Sequence, residues 1–190
     1  MDKKCYSSCV RLFVALTFVF LSATKGEASD NSSAVEIQKI FLRLGISTFQ
    51  ESKPIEGTVL DLRGEEKDLS TLTGKVTFLT FWTTWCPSCS VEMPALQKLY
   101  ARYQDQGFQI LAVNIEESAA KVIKYFKAKD LTYDSFLDPR GQLARRLGAW
   151  SIPNTLIMDR QGVILGRVVG ARDWDSPEAH KLLELLLTNH

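Results

Sequence analysis

The sequence predicts an α/β fold, a central mixed sheet flanked by helices, and three observations carry that prediction. Two nearly continuous β-branched and aromatic runs, KVTFLTFW from Lys75 to Trp82 and FQILAVNI from Phe108 to Ile115, have the composition of strands buried on both faces. Each is followed by a stretch with helical apolar spacing. The chain then closes with NTLIMD and GVILGRVVG, two short strand-like runs separated by Arg160-Gln161, and a final helical segment. Strands alternating with helices and then finishing with an antiparallel pair and a helix imply an α/β sheet covered on both faces.

The elements follow in order. Lys3, Lys4 and Arg11 precede the apolar run Leu12 to Leu21, and small and polar residues follow it. Gly26 and Ala28 fit the −3 and −1 positions of a cut after Ala28, so residues 1–28 read as a signal peptide or, uncut, an N-terminal membrane anchor. Extended to Thr24, the uncharged run holds 13 residues, well short of the ~20 that span a bilayer as a helix. Residues 29–54 read as a linker and short N-terminal helix, with Val35, Ile37, Ile40, Phe41 and Leu44 at mostly helical spacing before Gly45. Residues 57–69 alternate about Arg63-Gly64-Glu65, which predicts an N-terminal hairpin.

From Pro87 to about Asp105 the pattern is helical, with Leu96, Leu99, Tyr100 and Tyr103 on one stripe and Pro94 predicting a kink. Ser118 to Lys129 predicts a helix turning Val122, Ile123 and Phe126 inward; SFLD predicts a brief strand, and residues 139–147 one short helix. Ser176-Pro177-Glu178 supplies an N-cap, a proline at the first helical position and an acid in the first turn of the last helix. No internal repeat is present, and residues 55–190 form one domain.

Composition narrows the function. The chain has 23 Lys and Arg against 22 Asp and Glu, and a cut after Ala28 leaves 19 against 20. A nearly neutral surface without a basic cluster argues against nucleic acid as a partner. Export, to the periplasm or the outer face of the cytoplasmic membrane, also changes the meaning of cysteine, because disulfides persist outside the cytoplasm. Cys5 and Cys9 lie ahead of the apolar run, so the only pair beyond it is Cys86 and Cys89. A bridge three residues long closes almost no loop and is a poor staple.

Those two cysteines stand in FWTTWCPSCS, directly after a predicted buried strand and at the start of a predicted helix. The first sulfur then meets the unpaired N–H groups and positive dipole end of the helix, which favour thiolate over thiol. Cys86 is therefore the expected nucleophile, and Cys89, one turn along, the residue that resolves the mixed disulfide Cys86 forms with a substrate. Zinc is not expected, because no other cysteine lies beyond the apolar run and the only histidines are His180 and His190. Covalent haem attachment needs a histidine after the second cysteine, where Ser90 stands. The cofactor expectation is none beyond the redox-active pair itself.

On GKVTFLTFWTTWCPSCSVEMPAL, GFQILAVNIEES, WSIPNTLIMDRQGVILGRVVG and DWDSPEA, the chain resembles the thioredoxin-like superfamily, and within it the TlpA/ResA-like extracytoplasmic thiol–disulfide oxidoreductases. The resemblance runs from about Ile55 to Leu187. It implies a thioredoxin-like fold, with Glu116 to Asp138 as the helix-plus-strand insertion of this subfamily. It implies that Pro153, preceded by Ile152, is a cis-proline facing the cysteines, and that the backbone before it pairs with substrate. Thioredoxin's buried Asp six residues before the first cysteine is replaced by Thr80, so the resemblance points to Glu92 as the acid that exchanges a proton with Cys89. The alternative for Glu92 is a solvent-facing helix glutamate. Trp85 and Pro87, beside Cys86, are expected to belong to the docking surface and Trp82 to the core; Trp150 and Trp174 receive no role. The implied partners are protein disulfides, apocytochrome c among them, and a membrane electron donor that re-reduces the pair.

Reduction is the expected direction. Two alternatives stay open: a disulfide oxidase or isomerase for secreted proteins, and a non-catalytic binding module using the groove near Pro153. A thiol peroxidase shares the fold, but here Thr83 precedes Cys86 within a double-cysteine motif.

Overall fold

The computed structural model describes residues 25–49 and 53–188, the side chains of 25–31 excepted. Of the expected signal or anchor, residues 1–28, the first 24 lie outside them and the last four fall within the first helix. Among the described residues no helix is long and apolar enough to cross a membrane.

Seven strands form one sheet: β1 (Thr58–Asp61), β2 (Glu66–Asp68), β3 (Val76–Trp82), β4 (Phe108–Ile115), β5 (Asp134–Asp138), β6 (Asn154–Met158) and β7 (Ile164–Val169). Their spatial order is β2-β1-β5-β4-β3-β6-β7. Strands β3, β4 and β5 are parallel, and β6, β7, β1 and β2 join antiparallel. The mixed sheet, the N-terminal hairpin β1–β2 and the helix-plus-strand insertion match the expectation. The insertion's strand β5 sits between the hairpin and β4, so it joins the hairpin to the sheet.

The helices are α1 (Lys25–Leu44), α2 (Pro87–Tyr103), α3 (Ala119–Ala128), α4 (Gln142–Arg146) and α5 (Pro177–Thr188). Alternation along the central strands divides the core in two. Phe78 and Trp82 of β3 and Phe108 and Ile110 of β4 face α1, α2, α3 and α5; Leu79, Phe81, Leu111 and Val113 face α4, Ile55 and Leu69. The helical covering is thus heavy on one face and light on the other. Phe78 lies 5.0–5.1 Å, ring centre to ring centre, from both Phe108 and Trp174.

Four details differ from the sequence pattern. The N-terminal helix is not short, and the region assigned to a linker is helical from Lys25: residues 27–44 contain no Gly or Pro, but their first half carries no apolar stripe that periodicity can detect. Within α1, Ile40, Phe41 and Leu44 are buried while Val35 is exposed. Ile123 is also exposed, because only Val122 and Phe126 of α3 reach the core. Helix α4 begins at Gln142 rather than near residue 139, because the Asp138 carboxylate accepts the N–H groups of Gln142 and Ala144 at 2.9 Å each.

Helix α1 ends in a Schellman arrangement: Gly45 takes a φ of +64°, its N–H donates to Leu42 and that of Ile46 to Phe41. The chain beyond it then runs beside β7, with bridges Ser47 to Arg167 and Pro54 to Val163. The Ser176 hydroxyl accepts the Ala179 N–H at the start of α5, as its N-cap position predicts.

Candidate active site

Strand β3 delivers the chain to the end of the sheet where the loop Thr83 to Trp85 turns into α2. Cys86 is the N-cap of that helix: its backbone is extended (φ −82°, ψ 113°) and its Sγ accepts the Cys89 N–H at 3.2 Å. Pro87 occupies the first helical position, where a missing N–H costs nothing. Cys86 and Cys89 are joined by a disulfide with Cα atoms 5.3 Å apart. Cys86 retains 4% exposure and Cys89 none, so an incoming thiol or disulfide meets Cys86 first.

The other neighbours of Cys86 Sγ are the Ser88 hydroxyl at 3.3 Å and the Ile152 carbonyl oxygen at 3.9 Å. The Ile152–Pro153 peptide is cis. Ile152 and Pro153, 66 or more residues along the chain, therefore stand against the cysteine pair where β6 begins. Trp85 and Pro87 are exposed beside Cys86, and Trp82 is fully buried. Trp150 is exposed. At the position of the missing acid, Thr80 is buried and takes a hydrogen bond from the Thr155 hydroxyl at 3.0 Å.

Glu92 does not face solvent; it is 2% exposed. Its Oε1 accepts the Trp174 indole N–H at 2.6 Å and the Arg172 backbone N–H at 3.2 Å. Burial raises its carboxyl to about 7, against the lowering by those two donors and by the Arg172 charge. A group with that affinity changes protonation state near neutrality, as an acid–base partner must. Trp174, to which the sequence assigns no role, is thus part of the site's polar frame.

A second carboxylate holds the loop in front of Cys86. Glu117 accepts the Thr84 N–H at 2.7 Å, the Thr84 hydroxyl at 2.6 Å and the Asn114 side-chain amide at 2.9 Å. Glu116 adopts a left-handed φ of 58°, turning the chain just after β4. Burial pushes the Glu117 carboxyl up, but the three donors and Lys121 hold it below its usual range. Sequence reasoning missed this clamp; Asn114, near the end of the mostly apolar β4, was the available signal. Glu117→Ala should destabilise the fold by about 2 kcal/mol or more at pH 7, since buried donors lose a charged acceptor. That contribution is present above the unfolded carboxyl's value and is lost as pH falls through the lower folded one. Urea unfolding measures it, and a change under about 0.5 kcal/mol would show that the loop is held by other means.

The chemistry this geometry supports is two-electron thiol–disulfide exchange, and with the sheet order it places the protein among the thioredoxin-like thiol–disulfide oxidoreductases. Residues 51–167 match the model of the AhpC/TSA family, and the chain belongs to that family. It is 36% identical over 120 residues to the thiol-disulfide oxidoreductase ResA of Geobacillus thermodenitrificans, covering 63% of this chain and 69% of that one. With ResA of Bacillus thuringiensis the identity is 30% over 122 residues, 64% and 70% of the two chains. Among solved structures, a putative thiol:disulfide interchange protein DsbE from Chlorobium tepidum superposes with a TM-score of 0.66 at 28% identity, covering 74% of this chain and 99% of that one. StoA from Bacillus subtilis superposes with a TM-score of 0.56 at 26% identity, over 71% and 98%.

Proposed function

We propose that the protein is a disulfide reductant acting on extracytoplasmic proteins, with a role in cytochrome c maturation. The observation that carries the direction is the setting of Cys86: its polar neighbours are a hydroxyl, one N–H and a carbonyl oxygen, none of them cationic. Strong oxidants owe their potential to a stabilised reduced thiolate. Here, among the described residues, no cationic neighbour stabilises the Cys86 thiolate, so the reduced pair gives up its electrons readily.

In the exchange, Cys86 thiolate attacks a partner's disulfide, forming a mixed disulfide and releasing one partner thiolate, which takes up a proton. Cys89 gives its proton to Glu92, its thiolate attacks Cys86 Sγ, and the partner's second sulfur leaves as a thiolate that takes up the proton Glu92 gives back. Two electrons pass to the partner, the protein is left as the Cys86–Cys89 disulfide, and a membrane electron donor restores the dithiol. No other cofactor takes part. Trp85, Pro87 and the Ile152–Pro153 backbone form the surface on which the partner's cysteine segment lies. The N-terminal residues serve as export signal or anchor, consistent with the ResA, StoA and DsbE likenesses.

The test is the reduction potential of the pair, measured by equilibration in defined thiol–disulfide buffers. A value at or below about −250 mV is expected; one above roughly −150 mV would assign the protein to disulfide formation instead.

A further inference from the structure

The donors to Glu92 both come from one place. Arg172 and Trp174 lie in the loop between β7 and α5, 80 and 82 residues from Glu92 in the chain. Both N–H groups converge on Oε1, and neither reaches Oε2. The loop is itself fastened. The Arg172 guanidinium donates through Nε to the Leu44 carbonyl of α1 at 2.7 Å and through Nη1 to the Gly170 and Ala171 carbonyls at 3.3 and 2.9 Å. A Cβ on Gly45 would come within 2.9 Å of that guanidinium, so the α1 terminus is shaped to receive it. The Trp174 ring is fully buried and packs on Phe78, which leaves its N–H a single direction.

We propose that Trp174 is a positioning residue for Glu92, and that the β7–α5 loop, held to α1 by Arg172, reserves Oε1 for hydrogen-bond acceptance so that Oε2 alone carries the exchangeable proton. This rests on the reading of Glu92 as the acid–base partner of Cys89. The physical reason is directional. An oxygen that already accepts two N–H groups is the poorer site for a proton, and two donors to the ionised form oppose burial, which pushes the carboxyl toward its protonated form. The clamp thus brings a buried acid back to where it can both take and return a proton. The other titratable groups around Glu92 are the Arg172 guanidinium on the same loop, the buried Tyr133 phenol before β5, and the cysteine pair on α2. The phenol is pushed above its ordinary range by burial and by the Glu92 and Tyr125 charges, and stays neutral throughout the neutral range. The Arg172 charge is constant there. The disulfide does not titrate, so a titration of the oxidised protein isolates Glu92.

The experiment is NMR on the full chain in its oxidised form, following the Glu92 carboxyl carbon and the tryptophan indole N–H resonances from pH 5 to 9. In the parent, the Trp174 indole resonance should move with pH at the Glu92 midpoint, near 7. In Trp174→Phe, which keeps a ring against Phe78 and removes the donor, the Glu92 midpoint should rise by about one unit. The acid limb of the disulfide-reduction rate should move upward by the same amount. If the variant does not fold, the parent's indole titration decides alone. An indole resonance that stays flat while Glu92 titrates, or a Glu92 midpoint unmoved in Trp174→Phe, overturns the clamp. A shifted midpoint together with a Glu92→Gln variant whose rate profile matches the parent would uphold the clamp and remove Glu92 from the exchange, so the two ideas fail separately.

Discussion

Cys89→Ala should arrest the protein as a covalent adduct with its substrate, one partner per chain through Cys86, visible as a shifted band on a non-reducing gel and released by dithiothreitol. Cys86→Ala should give no adduct and no turnover. The asymmetry follows from exposure and geometry. Cys86 caps α2, keeps a slight exposure and accepts the Cys89 N–H, which favours its thiolate, whereas Cys89 sits fully buried one turn along. With Cys89 gone, the mixed disulfide has no internal thiol to resolve it. Adducts of equal yield through Cys89 in the Cys86→Ala protein would reverse the assignment of nucleophile and resolving residue.

The second large effect is a loss of stability with rising pH that Glu92→Gln should abolish. Burial raises the folded carboxyl to about 7 from an ordinary 4.5. Between those values the folded state keeps a proton that the unfolded state has lost, so stability is fully present below about pH 4.5, falls as pH rises toward 7, and is level beyond it. The total is on the order of 3 kcal/mol for a shift of this size. Urea unfolding of the oxidised parent and variant at pH 5, 6, 7 and 8 measures the difference. If the two fall in parallel, the titrating group is elsewhere.

What was legible in the sequence followed from local signals. The buried strands β3 and β4 are long apolar runs, the hairpin β1–β2 is marked by its turn, and the cysteine spacing at a strand–helix junction gives the redox site directly. Glu92 was visible as a residue three along from Cys89, but what tunes it was not. Its donors arrive from Arg172 and Trp174 through the pairing of β6 with β3 and the return of β7, and no pattern within a window of a few residues encodes such a meeting. The Glu117 clamp on Thr84 was hidden for the same reason, spanning 33 residues across two parallel strands. Ile123 shows a different limit. Periodicity gives the direction of an apolar stripe but not its width, and α3 meets the core along a narrow one.

The run of chain beside β7 has a consequence for how partners approach. Ser47 exchanges two backbone hydrogen bonds with Arg167, Ile55 donates to Gly162 and Ile164 donates to Lys53, so the outer rim of the sheet is already occupied. The opposite rim is β2, three residues of alternating charge, Glu66-Lys67-Asp68. Neither rim invites strand addition, by a client polypeptide or by a second copy of the chain. The proposed handling of extended polypeptide segments makes that protection useful, since the same backbone groups that dock a client could otherwise nucleate a shared sheet. With one rim occupied and the other short and charged, the Ile152 backbone, beside the disulfide, is the proposed place where a client strand pairs, which would couple recognition to the chemistry.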